Sequence, residues 1–169
     1  MFLFCISKVR IETFGPVNVL RPYFYGRNSE FIYCLALDLN DRLLQICKIS
    51  DGEADSVVIN NNKILALVTR TKAKKIILAH NHPAGNIKPS DSDLQATRML
   101  NVLLAGVNAR LSDHIIFSGD EYFSFYESDL LACFSDDNSH YANEQRRKKR
   151  SEGIYMEDEK PSEETLGEE

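Results

Sequence analysis

The 169-residue chain, 43% hydrophobic and 9% aromatic, has the composition of a globular protein with room for one domain, a sizeable core and an appendage. Its net charge of −5 resides at one end: residues 1–134 carry 14 Lys/Arg and 14 Asp/Glu, whereas 135–169 carry 6 and 11. The neutral body offers no electrostatic footprint for a nucleic-acid duplex, and the apolar opening at residues 1–6, cut short by Lys8 and Arg10, is too brief for a signal-peptide core or a membrane span.

Four widely spaced cysteines (Cys5, Cys34, Cys47, Cys133) form no C-x-x-C pair, so reduced thiols in a cytoplasmic protein are expected. In chain order, residues 1–28 read as one or two strands, with Gly15-Pro16 as a break and Tyr23, Phe24 and Tyr25 as strand-type aromatics. Residues 30–39 alternate Phe31, Tyr33, Leu35, Leu37 and Leu39 on one face with Glu30, Ile32, Cys34, Ala36 and Asp38 on the other. Asn40-Asp41 suits a hairpin turn into a second strand through Leu43, Leu44, Ile46 and Ile49. Asn60, Asn61 and Asn62 offer N-caps for a helix carrying Ile64, Leu65, Leu67 and Val68.

Residues 74–79 then form a short apolar strand, and Ser90 begins a second helix with Leu94, Met99, Leu100, Leu103 and Leu104, stopped by Gly106. Strands over 109–117 and 121–125, joined by Ser118-Gly119-Asp120, complete the body. The expected architecture is a mixed α+β or α/β sheet of about five or six strands with two main helices and no internal repeat. Residues 135–169 are too poor in large apolar side chains to offset their ordering entropy, and a disordered charged tail is expected there.

The chemistry concentrates at residues 80–93. His80 and His82, spaced i, i+2 at a strand end, point to one side, and Asp93 lies eleven residues beyond the second His. Three N/O ligands with an open position is the usual form of a catalytic zinc site. Pro83 ends the strand and Gly85 permits the turn that sends the chain back as a helix. Ser90-x-x-Asp93 also fits a capping box, in which Ser90 caps the helix and Asp93 answers its dipole. The two roles can coexist for Ser90 but are expected to compete for Asp93. Asn81 faces away from the histidines and is expected to tune the loop. Asp113 and His114 either orient a ligand imidazole or merely begin a strand; His140, in the tail, is given no role.

His80-x-His82 followed by Ser90-x-x-Asp93 resembles the JAMM motif, H-x-H-x7-S-x-x-D, of the MPN⁺/JAB metalloproteases. Residues 80–83 and 85, with Asp113-His114-Ile115-Ile116 and Ser118-Gly119-Asp120, look most like the bacterial RadC branch, over roughly residues 28–127. The resemblance implies a cytidine deaminase-like JAB/MPN domain over 1–134, a mixed sheet flanked by helices. It implies one zinc per chain on His80, His82 and Asp93 with water as fourth ligand, Glu30 as general base, and Ser90 stabilising the oxyanion. The implied reaction is hydrolysis of an amide, peptide or isopeptide, in a protein or peptide substrate.

Full-length RadC relatives also carry an N-terminal helix-hairpin-helix region. Only 29 residues precede Glu30 here, and they read as strands, so no DNA-binding role is carried over from that module. Two other function classes stay open. One is an accessory protein of DNA repair or a mobile element that contacts nucleic acid through the basic run Arg146-Arg147-Lys148-Lys149-Arg150. The other is a binding protein whose metal is structural. No membrane partner is expected, and specificity is expected to reside in the loops at 50–57 and 84–89.

Overall fold

The alternating residues that follow Glu30 form strand β1 (Phe31–Leu37), and the chain returns antiparallel as β2 (Leu43–Asp51). Asp38 closes the turn between them: its Oδ1 accepts from the Asn40 and Arg42 amides at 2.8 and 2.9 Å, while Asp41 takes a left-handed φ of 59°. The computed structural model describes residues 11, 15–51 and 59–134. Ahead of β1 lie α1 (Pro16–Leu20) and a 3-10 turn (Arg21–Tyr23). After β2 come α2 (Asn61–Thr71), β3 (Lys75–Asn81), α3 (Asp91–Gly106), β4 (Arg110–Ser118) and β5 (Glu121–Ser124).

Among the described residues the sheet has five strands in the order β2-β1-β3-β4-β5, and only the β3/β4 pair is parallel. A parallel pair requires a crossover, which α3 provides. The Asn60 side chain caps α2 by accepting from the Lys63 amide at 3.1 Å. Ser90 caps α3, and Gly106 ends it as expected, although the left-handed residue at that stop is Asn108 (φ 55°).

Every residue of β3 is buried, as in a strand covered on both faces. Ile76 and Leu78 join Ile32, Cys34 and Ala36 of β1 and Ile116 of β4 in a core with Ile64 and Leu67 of α2 and Leu100 and Leu104 of α3. Ile77 and Ala79 belong to the opposite face, with Leu35, Leu37, Ile115, Phe117, Leu20 and Phe24. Leu100 and Leu104 are wholly excluded from solvent, so truncating either to Ala costs about 2–5 kcal/mol.

Over residues 15–24 the N-terminal segment departs from expectation, while residues 1–10 and 12–14 of the expected strands lie outside the described residues. Gly15 (φ 70°) and Pro16 begin a short helix rather than break between strands, because Pro at the first helical position lacks only an amide that would go unbonded anyway. Tyr23 and Phe24 pack as a cluster against Tyr33 and Phe117 (ring centroids 4.8–5.5 Å apart), so their aromatic character reports packing rather than strand. Cys34, Cys47 and Cys133 are free thiols, and burial pushes the Cys34 thiol far above its ordinary value. No helix among the described residues is long and apolar enough to cross a membrane. Cys5, residues 52–57 of the β2–α2 loop, and the tail with His140 and the basic run lie outside the described residues.

Candidate metal centre

Strand periodicity sets the site. His80 continues the Ile76–Leu78 face of β3 towards α3, while Asn81 continues the opposite face. Ile32 is the register partner of His80, so Glu30, two residues before Ile32, has the phase of the same face. The turn after His82 relies on Gly85 at φ 92°, a conformation that a side chain would strain. Asp93 arrives from the first turn of α3.

The donor atoms converge. His80 Nε2 lies 2.9 Å from His82 Nε2 and 3.2 Å from Asp93 Oδ1, and His82 Nε2 lies 3.4 Å from Asp93 Oδ2. A four-coordinate ion with bonds of about 2.0–2.2 Å holds its donors roughly 3.3–3.6 Å apart, so two imidazoles and this carboxylate can hold a metal ion with little movement. Glu30 Oε1 is 3.8 Å from His80 Nε2, and Glu30, His80 and His82 also bring one donor atom each within 4.8 Å of one another. Asp93 is nearer to His80 than Glu30 is, and it touches both imidazoles, so the geometry offers Asp93 as well as Glu30 as a third donor beside the two histidines. Accessibility follows the same order: the His80 side chain is 3% exposed, Asp93 15%, His82 19% and Glu30 33%.

The Asp93 carboxylate meets the capping box and both imidazoles at once. Its Oδ2 accepts from the Ser90 amide at 2.8 Å and the Ser90 hydroxyl at 2.6 Å, while Ser90 Oγ accepts from the Asp93 amide at 3.2 Å. The two oxygens divide the work in part: Oδ1 faces His80, while Oδ2 takes both Ser90 donors and is also the oxygen nearest His82. Burial opposes ionisation of Asp93, but hydrogen bonds from His80, His82 and Ser90 outweigh it and hold the carboxyl well below the usual carboxylate range. The same Asp93 bond raises the His82 imidazole above its ordinary value, against partial burial and with help from the Asn86 carbonyl, 2.6 Å from Nδ1.

Beyond these donor atoms, His80 Nδ1 lies 2.8 Å from His114 Nε2, and His114 Nδ1 lies 2.7 Å from Thr97 Oγ1. The Thr97 hydroxyl donates to the Asp93 carbonyl at 2.5 Å. His114 is fully buried, stacks on Phe125 (centroids 4.8 Å apart), and is held well below its ordinary value by desolvation and then by the neighbouring His80. Asp113 turns elsewhere: Oδ1 accepts from the His114 and Tyr126 amides at 2.7 and 3.0 Å, and Oδ2 from the Ser124 hydroxyl at 2.7 Å. Burial raises the Asp113 carboxyl despite those bonds.

Asn81 is buried rather than part of the loop. Its Oδ1 accepts from the Phe31 amide at 2.8 Å and its Nδ2 donates to the Ser29 carbonyl at 3.0 Å, which ties the backbone on both sides of Glu30.

The model of the RadC-like JAB domain matches residues 16–130. The chain belongs to the RadC-like JAB domain family. A UPF0758 protein of Geobacter sulfurreducens is 31% identical over 120 residues, covering 69% of this chain and 52% of the relative. One of Trichlorobacter lovleyi is 34% identical over 129 residues (72% and 56%), and one of Coxiella burnetii 38% over 103 (61% and 46%). The chain thus spans about half the length of the curated relatives it matches.

Within this RadC-like domain, all five residues singled out in the sequence, Glu30, His80, His82, Ser90 and Asp93, come together. One of their supports was held open in the sequence, as Asp113 or His114, and the other was not legible. His114 was set beside Asp113 as one polar pair, yet strand alternation separates them: His114 shares the phase of buried Ile116 and faces the centre. An ionisable residue in the buried phase of a strand was the available signal. Asn81 gave none, because its partners lie about fifty residues away in sequence.

Proposed function

We propose that this domain is a zinc-dependent hydrolase of amide bonds, peptide or isopeptide, acting on a protein or peptide chain. The convergence of His80 Nε2, His82 Nε2 and the Asp93 carboxylate at 2.9–3.4 Å, with Glu30 beside them on the more exposed side, carries this reading. Two imidazoles and a carboxylate are a donor set that zinc favours. Zinc held there supplies Lewis acidity and lowers the pKa of water towards ~7.

Glu30 accepts the proton of the attacking water and delivers it to the leaving nitrogen, for which its partial exposure suits it. The Ser90 hydroxyl, now donated to Asp93 Oδ2, turns to the oxyanion that develops on the substrate carbonyl. A cleft of about 350 Å³ beside His82, lined by Tyr25, Arg27, Asn28, Pro83 and Asp120, offers a course for the substrate chain.

The test compares zinc-loaded wild type with Glu30→Gln on a cell proteome, reading new N-termini and lost branched peptides. Cleavage by wild type alone, at equal zinc content, is expected. Equal cleavage by both removes Glu30 as base; no cleavage by either, with zinc bound to both, refutes the hydrolase.

A further inference from the structure

Thr97 Oγ1 and the Asp93 carbonyl oxygen stand 2.5 Å apart, and two oxygens so close need a hydrogen between them. Only the hydroxyl has one. Thr97 therefore donates to Asp93 and has only lone pairs left for its other neighbour, His114 Nδ1 at 2.7 Å. His114 Nδ1 must then carry a hydrogen. The ring is fully buried, and its two nitrogens meet a hydroxyl and another imidazole rather than a carboxylate, so it is neutral and its Nε2 is bare. A bare Nε2 at 2.8 Å from His80 Nδ1 can only accept, which places the His80 proton on Nδ1.

We infer that His114 and Thr97 are positioning residues of a one-way hydrogen-bond relay, His80 to His114 to Thr97 to Asp93, that commits the His80 Nδ1 proton to His114 and turns Nε2 to the metal centre. The relay begins on one ligand and ends on the backbone of another, linking β3, β4 and α3 through side chains that are buried or nearly so. His82 commits its Nδ1 proton by a simpler route, to the Asn86 carbonyl at 2.6 Å. A reversed relay would protonate His80 Nε2, facing the metal centre, and set two lone pairs against each other at Thr97 and Asp93. The inference rests on the metal-centre reading only for the benefit of the relay; the proton positions follow from hydrogen bonding within the protein.

The test is long-range 1H–15N NMR of the imidazoles in the full 169-residue chain, metal-free and with added zinc, joined to a zinc-binding isotherm. A proton on Nδ1 of both His80 and His114 before zinc is added is expected. Thr97→Val removes the acceptor for His114 Nδ1–H, so His114 and His80 should populate the reversed tautomers and zinc affinity should fall about 10–100-fold. Thr97→Ser should retain the wild-type tautomers and affinity. His114→Phe keeps the stacking on Phe125 but removes the relay, and should weaken zinc binding similarly.

A purely structural role for these residues would lower melting temperature without moving tautomer or affinity, and that result overturns the inference. A protonated His80 Nε2 with bare Nδ1 in the neutral metal-free ring overturns it as well. Wild type that binds no zinc but shows the Nδ1–H tautomers refutes the metal reading while upholding the relay's direction.

Discussion

Replacing Asn81 with Ala leaves two backbone groups, the Phe31 amide and the Ser29 carbonyl, without the side chain that bonds them. The β1/β3 ladder has its last register pair at Ile32–His80, so the Asn81 amide continues the pairing where backbone no longer does. A buried backbone group left unsatisfied costs about 1–3 kcal/mol. Both groups here are only part-buried, so water meets some of the loss and about 2 kcal/mol in total is expected, or roughly 5–10 °C in melting temperature for a domain of this size. Thermal and urea unfolding measure the loss, and amide hydrogen exchange localises it. The Phe31 amide should lose protection in Asn81→Ala but keep it in Asn81→Asp, which retains Oδ1 and forfeits only the bond to Ser29. An Ala variant that melts within about 1 °C of wild type, with Phe31 equally protected, would refute the claim that Asn81 holds the Glu30 backbone.

Asp113→Ala should cost about 2–4 kcal/mol through its lost bonds to Ser124, Tyr126 and His114, whereas Asp113→Asn should stay within about 1 kcal/mol of wild type at pH 7. Because burial raises this carboxyl, the folded state holds its proton to higher pH than the unfolded chain. Stability from this group therefore falls as pH rises from the ordinary carboxylate value of 3.8 through the folded value. Urea titrations at pH 4 and 7 should show Asp113→Asn gaining on wild type with pH; the reverse trend would count against it. Gly85→Ala meets no neighbour within 4 Å, so its cost is the left-handed backbone alone, roughly 1–2 kcal/mol by denaturation, with a weaker His82–Asn86 bond in NMR. Ser90→Ala should lose about 1 kcal/mol of helix capping but about 10²–10³ in kcat at unchanged zinc content. Loss of zinc in step with activity would argue against its oxyanion role.

Where local periodicity and spacing carried the information, the sequence was readable. The alternation of residues 31–37, the Asn60 and Ser90 caps, and the i, i+2 histidines all became the elements they implied. Residues 16–24 were misread because aromatics that pack on a sheet face resemble aromatics within a strand, and the Gly15-Pro16 helix start was taken as a break. At Asp93 the spacing did not show that one carboxylate meets the Ser90 cap and both imidazoles together, with Oδ1 towards His80 and Oδ2 towards Ser90 and His82. Asn81 depends on contacts between residues 50 and 52 apart, which spacing along one strand does not reveal, and the choice between Asp113 and His114 as partner of an imidazole rests on a contact 34 residues away.

The central claim is tested most directly by the metal content of freshly purified full chain alongside its Asp93→Ala variant, each then titrated with zinc. One tightly held zinc per wild-type chain, lost in Asp93→Ala while the fold persists, is the predicted result. Wild type that neither retains zinc nor takes it up on addition, or an Asp93→Ala variant that binds it as tightly, would contradict a centre built on His80, His82 and Asp93.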